Sequence, residues 1–211
     1  MNAEVIASLT TAAGTLVLAV ATFSATRSAN RASRIAERSL LATLRPVLMN
    51  AQLSDPMQKV GFVDQHWTRI EGPRAVFEQG EDAIYLAFGL RNFGSGLAIL
   101  QAWHPIADRI LGDIPHGPVE RFRAQTRSLY VPPGGLGFWQ GALRDPADPI
   151  YDAFADALKN RDPVTIELLY SDMNGGQRTI TRLAIQPAQE DRWIASVARH
   201  WTLDTHTPLH I

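Results

Sequence analysis

Six histidines, His66, His104, His116, His200, His206 and His210, are the side chains best suited to hold a metal or move a proton near neutral pH. None of their spacings puts two on one helical face. His206 and His210 stand four apart, but Pro208 between them forbids the regular helix that a zinc-binding pair needs. Asp148, Asp152 and Asp156 recur at i, i+4 and i+8. A helix cap followed by a solvated face accounts for them, so no metal is expected there. His104, between Trp103 and Pro105 with Asp108 nearby, reads as a strand end meeting a loop. There is no nucleophile elbow, phosphate-binding glycine loop or dinucleotide fingerprint. The glycine-rich run Val131 to Trp139 carries two prolines, which lack the N–H groups that cradle an anion. Without cysteine there is no disulfide, thiolate or Cys-ligated metal. No catalytic residue, metal or cofactor is assigned.

The pattern that does carry meaning is arginine. Arg27, Arg31, Arg34 and Arg38 follow one another at steps of 4, 3 and 4, and Arg45 follows seven later. On a helix these share a stripe, suited to anionic lipid headgroups at about 1 kcal/mol per charge near a membrane surface. By Arg45 the stripe is expected to be simply solvated.

The elements that must position this stripe divide the chain at 45/46. All 13 prolines, 14 of the 15 glycines and all five tryptophans lie beyond that point, so residues before it can be helical and those after it read as strands and turns. Val5 to Thr26 are 22 residues without a charge, about 33 Å as a helix, against roughly 30 Å of hydrocarbon. Fourteen are apolar and seven are Ser or Thr, whose hydroxyls can bond back to the preceding turn. The segments expected are a transmembrane helix at 1–26, a basic juxtamembrane stalk at 27–45 and a domain at 46–211. Residues 27–45 carry five arginines against Glu37, a charge of +4, while the other flank has only Glu4. Retention of arginine on the cytoplasmic side puts the N-terminus outside and the domain inside, in the inner membrane. Ala7, Thr11, Gly14, Ala21 and Ala25 share a small-residue stripe through which two such helices would approach closely as a homo-oligomer.

Residues 46–211 have a net charge of −1 − (5 − 2) = −4, which argues against nucleic acid as partner. Alternation is clearest in Ile84, Leu86, Phe88 and Leu90; with the turn Arg91–Gly96 and the run Leu97–Trp103 it predicts a hairpin. Val164–Ser171 and Gln177–Ile185 predict a second, turning at Asn174-Gly175. Further strands are expected in 47–53, 61–70, 127–131, 136–143 and 193–203. One helix is expected after Asp148 as cap and Pro149 at its first position, with Phe154, Ala157 and Leu158 facing inward. About nine strands and one helix point to a mainly β, antiparallel immunoglobulin-like β-sandwich. The tryptophans are assigned to its core, with Trp201 in Arg199-His200-Trp201 as the exposed recognition group.

Arg31-Ala-Ser-Arg-Ile-Ala-Glu-Arg-Ser-Leu-Leu41, Leu44-Arg-Pro46, Leu90-Arg-Asn-Phe-Gly-Ser-Gly-Leu97 and Tyr170-Ser-Asp-Met-Asn-Gly175 together resemble a loosely defined class of uncharacterised bacterial single-pass membrane proteins. The resemblance implies an N-terminal span, an arginine/alanine juxtamembrane helix and an immunoglobulin-like domain. Its motifs are turn chemistry and imply no activity. The function expected is a non-enzymatic module for protein–protein contacts or assembly at the cytoplasmic membrane face, its partners being membrane lipid and an unidentified protein. The alternative is a tethered hydrolase or small-ligand-binding domain with a site built from loops.

Overall fold

The computed structural model describes residues 3–110 and 112–204, with the side chains of residues 3–11, 38 and 42 outside that description. The chain divides into two compact units between Ala42 and Thr43. The first is one helix, α1 (Ala3–Thr43). Proline-free and with a single glycine, it has nothing to break it before the Pro46 junction. The hydroxyls of Thr22 and Thr26 donate to the carbonyls four residues back at 2.8 Å, and Ser24 donates to Ala21 O. These bonds satisfy polar groups within the helix itself. Leu16, Val17, Leu18, Val20 and Phe23 are each 62–69% exposed. Among the described residues no helix is long and apolar enough to cross a membrane. Val5, Ile6 and Leu9 of the uncharged run have side chains outside that description.

The second unit is mainly β. Its strands are β1 (Leu48–Asn50), β2 (Gln58–Gly61), β3 (Trp67–Ile70), β4 (Arg74–Gln79), β5 (Ile84–Asn92) and β6 (Ala98–Ile106). After the long 107–122 connection come β7 (Arg123–Val131), β8 (Leu136–Leu143), β9 (Val164–Ser171), β10 (Thr179–Pro187) and β11 (Trp193–Thr202). A helix, α2 (Tyr151–Asn160), lies between β8 and β9. One antiparallel sheet runs β5-β4-β11-β10-β9-β6-β7, with β1 and β8 also on β5, while β2 and β3 pair only with each other. The sheet curls, so that Gln125 of β7 and the Trp139–Gln140 pair of β8 bond at its two ends: Trp139 Nε1 donates to Gln125 Oε1 and Gln125 Nε2 to Gln140 O.

Alternation decides what the curl encloses. Ile84, Leu86, Phe88 and Leu90 of β5 pack with Ile166, Leu168 and Tyr170 of β9, Leu183 and Ile185 of β10, Trp103, Trp139 and Phe154 in one core. The opposite face of β5, Tyr85 and Ala87, is buried under the β2–β3 hairpin with Val60, Phe62 and Ile70. β5 is therefore buried on both faces.

Four expectations are corrected. The strands flanking Arg91–Gly96 exist, but β5 and β6 do not pair; the connection carries the chain from one part of the curled sheet to another. Asn92 is the reason: its amide donates to Gly96 O and Val131 O, and its Oδ1 accepts from Val47 N and Gly94 N. That fourfold anchoring opens the loop where a hairpin would close it. The β9–β10 hairpin forms as expected, yet its positive φ angles fall on Gly175 (76°) and Gln177 (48°), with Asp172 Oδ1 accepting from Asn174 and Gly176 N–H groups. Asp148 stands two residues before the N-cap of α2, Ile150, where it accepts from Ile150 N and grips Arg123 of β7 in a two-point ion pair at 2.5 and 2.9 Å. The single strand expected over 61–70 is the end of β2, a turn with Gln65 at φ 64°, and β3.

Candidate functional site

Two groups of cations and aromatics stand out, and strand register builds both. His104 of β6 lies opposite Glu167 of β9, Glu167 opposite Arg182 of β10, and Arg182 opposite Arg199 of β11. Their sequence neighbours Ile166, Leu168 and Leu183 take the core face, so these four share the other. A bulge between Arg182 and Leu183 shifts the β10–β11 register beside the row, as bulges that re-aim side chains do.

The 107–122 connection shuts the middle of this row, Glu167 and Arg182, from water. Arg182 and Glu167 are 2% and 0% exposed at the side chain. Arg182 Nε and Nη2 donate to Glu167 Oε1 at 2.9 and 2.6 Å, and its remaining donors reach Ile114 O and Pro115 O. Glu167 Oε2 accepts from Gly117 N at 2.9 Å. Every charge here has a partner, which is the condition for burying an ion pair at all. The indole of Trp201 has the Arg182 guanidinium 4.7 Å and the Arg199 guanidinium 5.4 Å from its centre, and His116 edge-on. Arg199 in turn pairs with Asp113 at 2.5 Å. His104 stacks on Phe122 and is held below its ordinary imidazole pKa, chiefly by burial, with Arg121 and Arg123 adding to that and Glu167 opposing it.

The second group lies on the β2–β3 hairpin. Lys59 and Arg69 face each other across the ladder, as do Gly61 and Trp67. Lys59 Nζ lies 4.3 Å from the centre of the Trp67 ring, and Trp67 is 58% exposed. Gly61 lets the indole lie across the ladder in this position: a Cβ there would stand 2.6–2.9 Å from it. Arg127 of β7 donates to Gly61 O, and Arg127, Trp67, Phe62 and Val63 line a cavity of about 380 Å³. The acid of this hairpin, Asp64, is already taken by the Tyr85 hydroxyl at 2.8 Å and by Arg144, so no carboxylate among the described residues pairs with Lys59, Arg69 or Arg127. Burial, with Asp64 as acceptor, pushes the Tyr85 phenol up to about 12.

Of the residues singled out from the sequence, Arg27, Arg31 and Arg34 are exposed on α1, as are Gly14, Ala21 and Ala25. The side chains of Arg38, Ala7 and Thr11 lie outside the described residues. Arg199 and Trp201 are half-buried in the closed group, and His200 is exposed with Nδ1 2.8 Å from Thr181 Oγ1. Trp67 is a correction: it was expected in the core and lies at the surface, because its hairpin covers β5 with one face and turns the other outward. The signal that would have found it is the turn at 63–66, which splits 61–70 and brings Lys59 beside Trp67. His104 was passed over as a strand end; its register with Glu167 is a tertiary fact. Among the described residues no group of three or more metal-ligating side chains converges.

No protein-family model matches the chain, and no curated protein does. Among solved structures, a crystal structure of a protein from Archaeoglobus fulgidus is similar at 9% identity over 61% of this chain and 93% of that one, with a TM-score of 0.25.

Proposed function

We propose that this chain is a membrane-anchored, non-enzymatic module for protein–protein contacts at the cytoplasmic face of the inner membrane. The observation that carries the reading is the uncovered apolar surface of α1 from Leu16 to Phe23. Apolar side chains on several faces of one helix, with no charge among them, are at home in lipid, where burying them is worth about 25 cal/mol per Å². Arg27, Arg31 and Arg34 then meet the headgroups on the arginine-retaining side, and Arg38 continues their spacing. Self-association through Gly14, Ala21 and Ala25, on the stripe begun by Ala7 and Thr11, belongs to the same proposal.

An immunoglobulin-like description of the domain is also ours. What supports it is one core lying between β5 and its neighbours on one side and β9, β10 and β6 on the other, with the Phe93–Leu97 connection crossing between them. The binding role is favoured over hydrolysis because the group of His104, Glu167 and Arg182 spends its carboxylate and guanidinium within the chain.

Fractionation of cells expressing the full chain tests the anchor. The protein should pellet with membranes, resist an alkaline wash and come off only with detergent, and external protease should spare the β domain. Recovery in the detergent-free supernatant, or digestion of the domain from outside, overturns the reading. Leu18→Arg should move a measurable share of the chain out of the membrane fraction.

A further inference from the structure

We infer that the outer face of the β2–β3 hairpin is a docking site for an acidic segment of a partner protein carrying one apolar anchor residue. The inference deepens the reading of this domain as an interaction module and rests on it, but not on the membrane anchor.

Three observations converge on this occupant. Lys59 and Arg69 are directly opposite in an antiparallel pair. Like charges so placed cost stability, and among the described residues no carboxylate pairs with them. Arg127, anchored by Gly61 O, adds a third cation with donors to spare. In a domain of net charge −4 this is a local inversion of sign, complementary to carboxylates. Trp67 supplies the apolar half. Tryptophan and arginine are the residues that most often dominate binding energy at interfaces, and this indole is the most exposed of the five. Beside it Val63 and Arg127 complete an open concavity of about 380 Å³, room enough for an apolar side chain. Val63 and Trp67 also protrude, 65% and 58% exposed, so anionic vesicles are the rival that the test must exclude, while the phosphate backbone of nucleic acid would meet the acidic remainder of the domain. Trp67 and Lys59 are already held together across Gly61, so little side-chain freedom is lost on binding.

The test uses the full chain in neutral detergent micelles. The probes are a pool of labelled eight-residue peptides of Asp and Glu around one central Leu, Phe or Trp, a matched pool with Asn and Gln, vesicles of anionic lipid, and a single-stranded oligonucleotide. Saturable binding of the acidic pool, at least tenfold tighter than the neutral pool, is the expected result. Arg69→Glu should weaken it tenfold or more while leaving the melting temperature unchanged or raised, because Lys59 then faces a carboxylate. Trp67→Ala should weaken it similarly with the fold intact. Equal binding of both pools, insensitivity to Arg69→Glu, or binding of vesicles or oligonucleotide in place of the acidic pool each overturns the inference. The membrane fractionation is read separately, so loss of the anchor and loss of the docking site are distinguishable failures.

Discussion

Two of the tryptophans that meet cations in this domain, Trp201 and Trp67, show the same chemical idea with opposite outcomes. At Trp201, Arg182 and Arg199 lie over the ring, and each finds an acid, Glu167 or Asp113. The 107–122 connection then covers Arg182 and Glu167 completely. At Trp67, Lys59 lies over the ring and Arg69 and Arg127 stand near, with no paired carboxylate among the described residues and the indole left exposed. The lesson is that a nearby carboxylate decides whether such a group becomes architecture or surface. A guanidinium stripped of water needs a full set of partners, while one left in water needs none.

That contrast breaks most sharply at Glu167. Glu167→Ala leaves Arg182 buried without its counter-ion and should cost about 3–5 kcal/mol, read by urea denaturation of the full chain in micelles. Arg69→Glu in the open group should stay within about 0.5 kcal/mol of the parent. An equal loss at both positions would abolish the distinction.

The glycines sharpen the comparison. A Cβ at Gly117 would meet the His104 ring at 2.7–2.9 Å, and one at Gly61 would meet Trp67 just as closely. His104 is held between Phe122 and the Gly117 segment and cannot retreat easily, so Gly117→Ala should cost about 1–3 kcal/mol. Trp67 can swing into water, so Gly61→Ala should cost less than about 1 kcal/mol while separating the indole from Lys59. Thermal melts of the two variants side by side check this.

The smallest effect is a pH dependence to which His104 of the closed group contributes beside His200, each held below the ordinary imidazole value by burial. Burial, Arg121 and Arg123 depress the His104 pKa, against the pull of Glu167. Because the folded value lies below the unfolded one, the unfolded chain takes up the proton first. The contribution is complete above the unfolded imidazole value of about 6.5 and is lost as pH falls from there toward the folded value. Stability should therefore fall more between pH 7.5 and 5.5 in the parent than in His104→Asn, and equal slopes would remove His104 as the cause.

Much of the fold was legible in the residues. Where side chains alternate between core and cover, as from Ile84 to Leu90 or Val164 to Ser171, the strand follows from period two alone. The β9–β10 hairpin was legible because Asp172 and Gly175 make its turn locally. The failed β5–β6 hairpin had equally good local signals, but Asn92 bonds to Val47 and Val131, 45 and 39 residues distant. No window of sequence contains those partners.

The same division of labour runs through the candidate sites. Composition and order alone determined the uninterrupted helix, its uncharged run, the arginine spacing and the β character of the remainder, because these depend on neighbours within a few residues. Only the curled sheet decided that His104, Glu167, Arg182 and Arg199 form a row, and that Trp67 faces water while Trp103 and Trp139 do not. Register and cover are set by which strands meet, and that is settled by burial of the whole core rather than by any local preference.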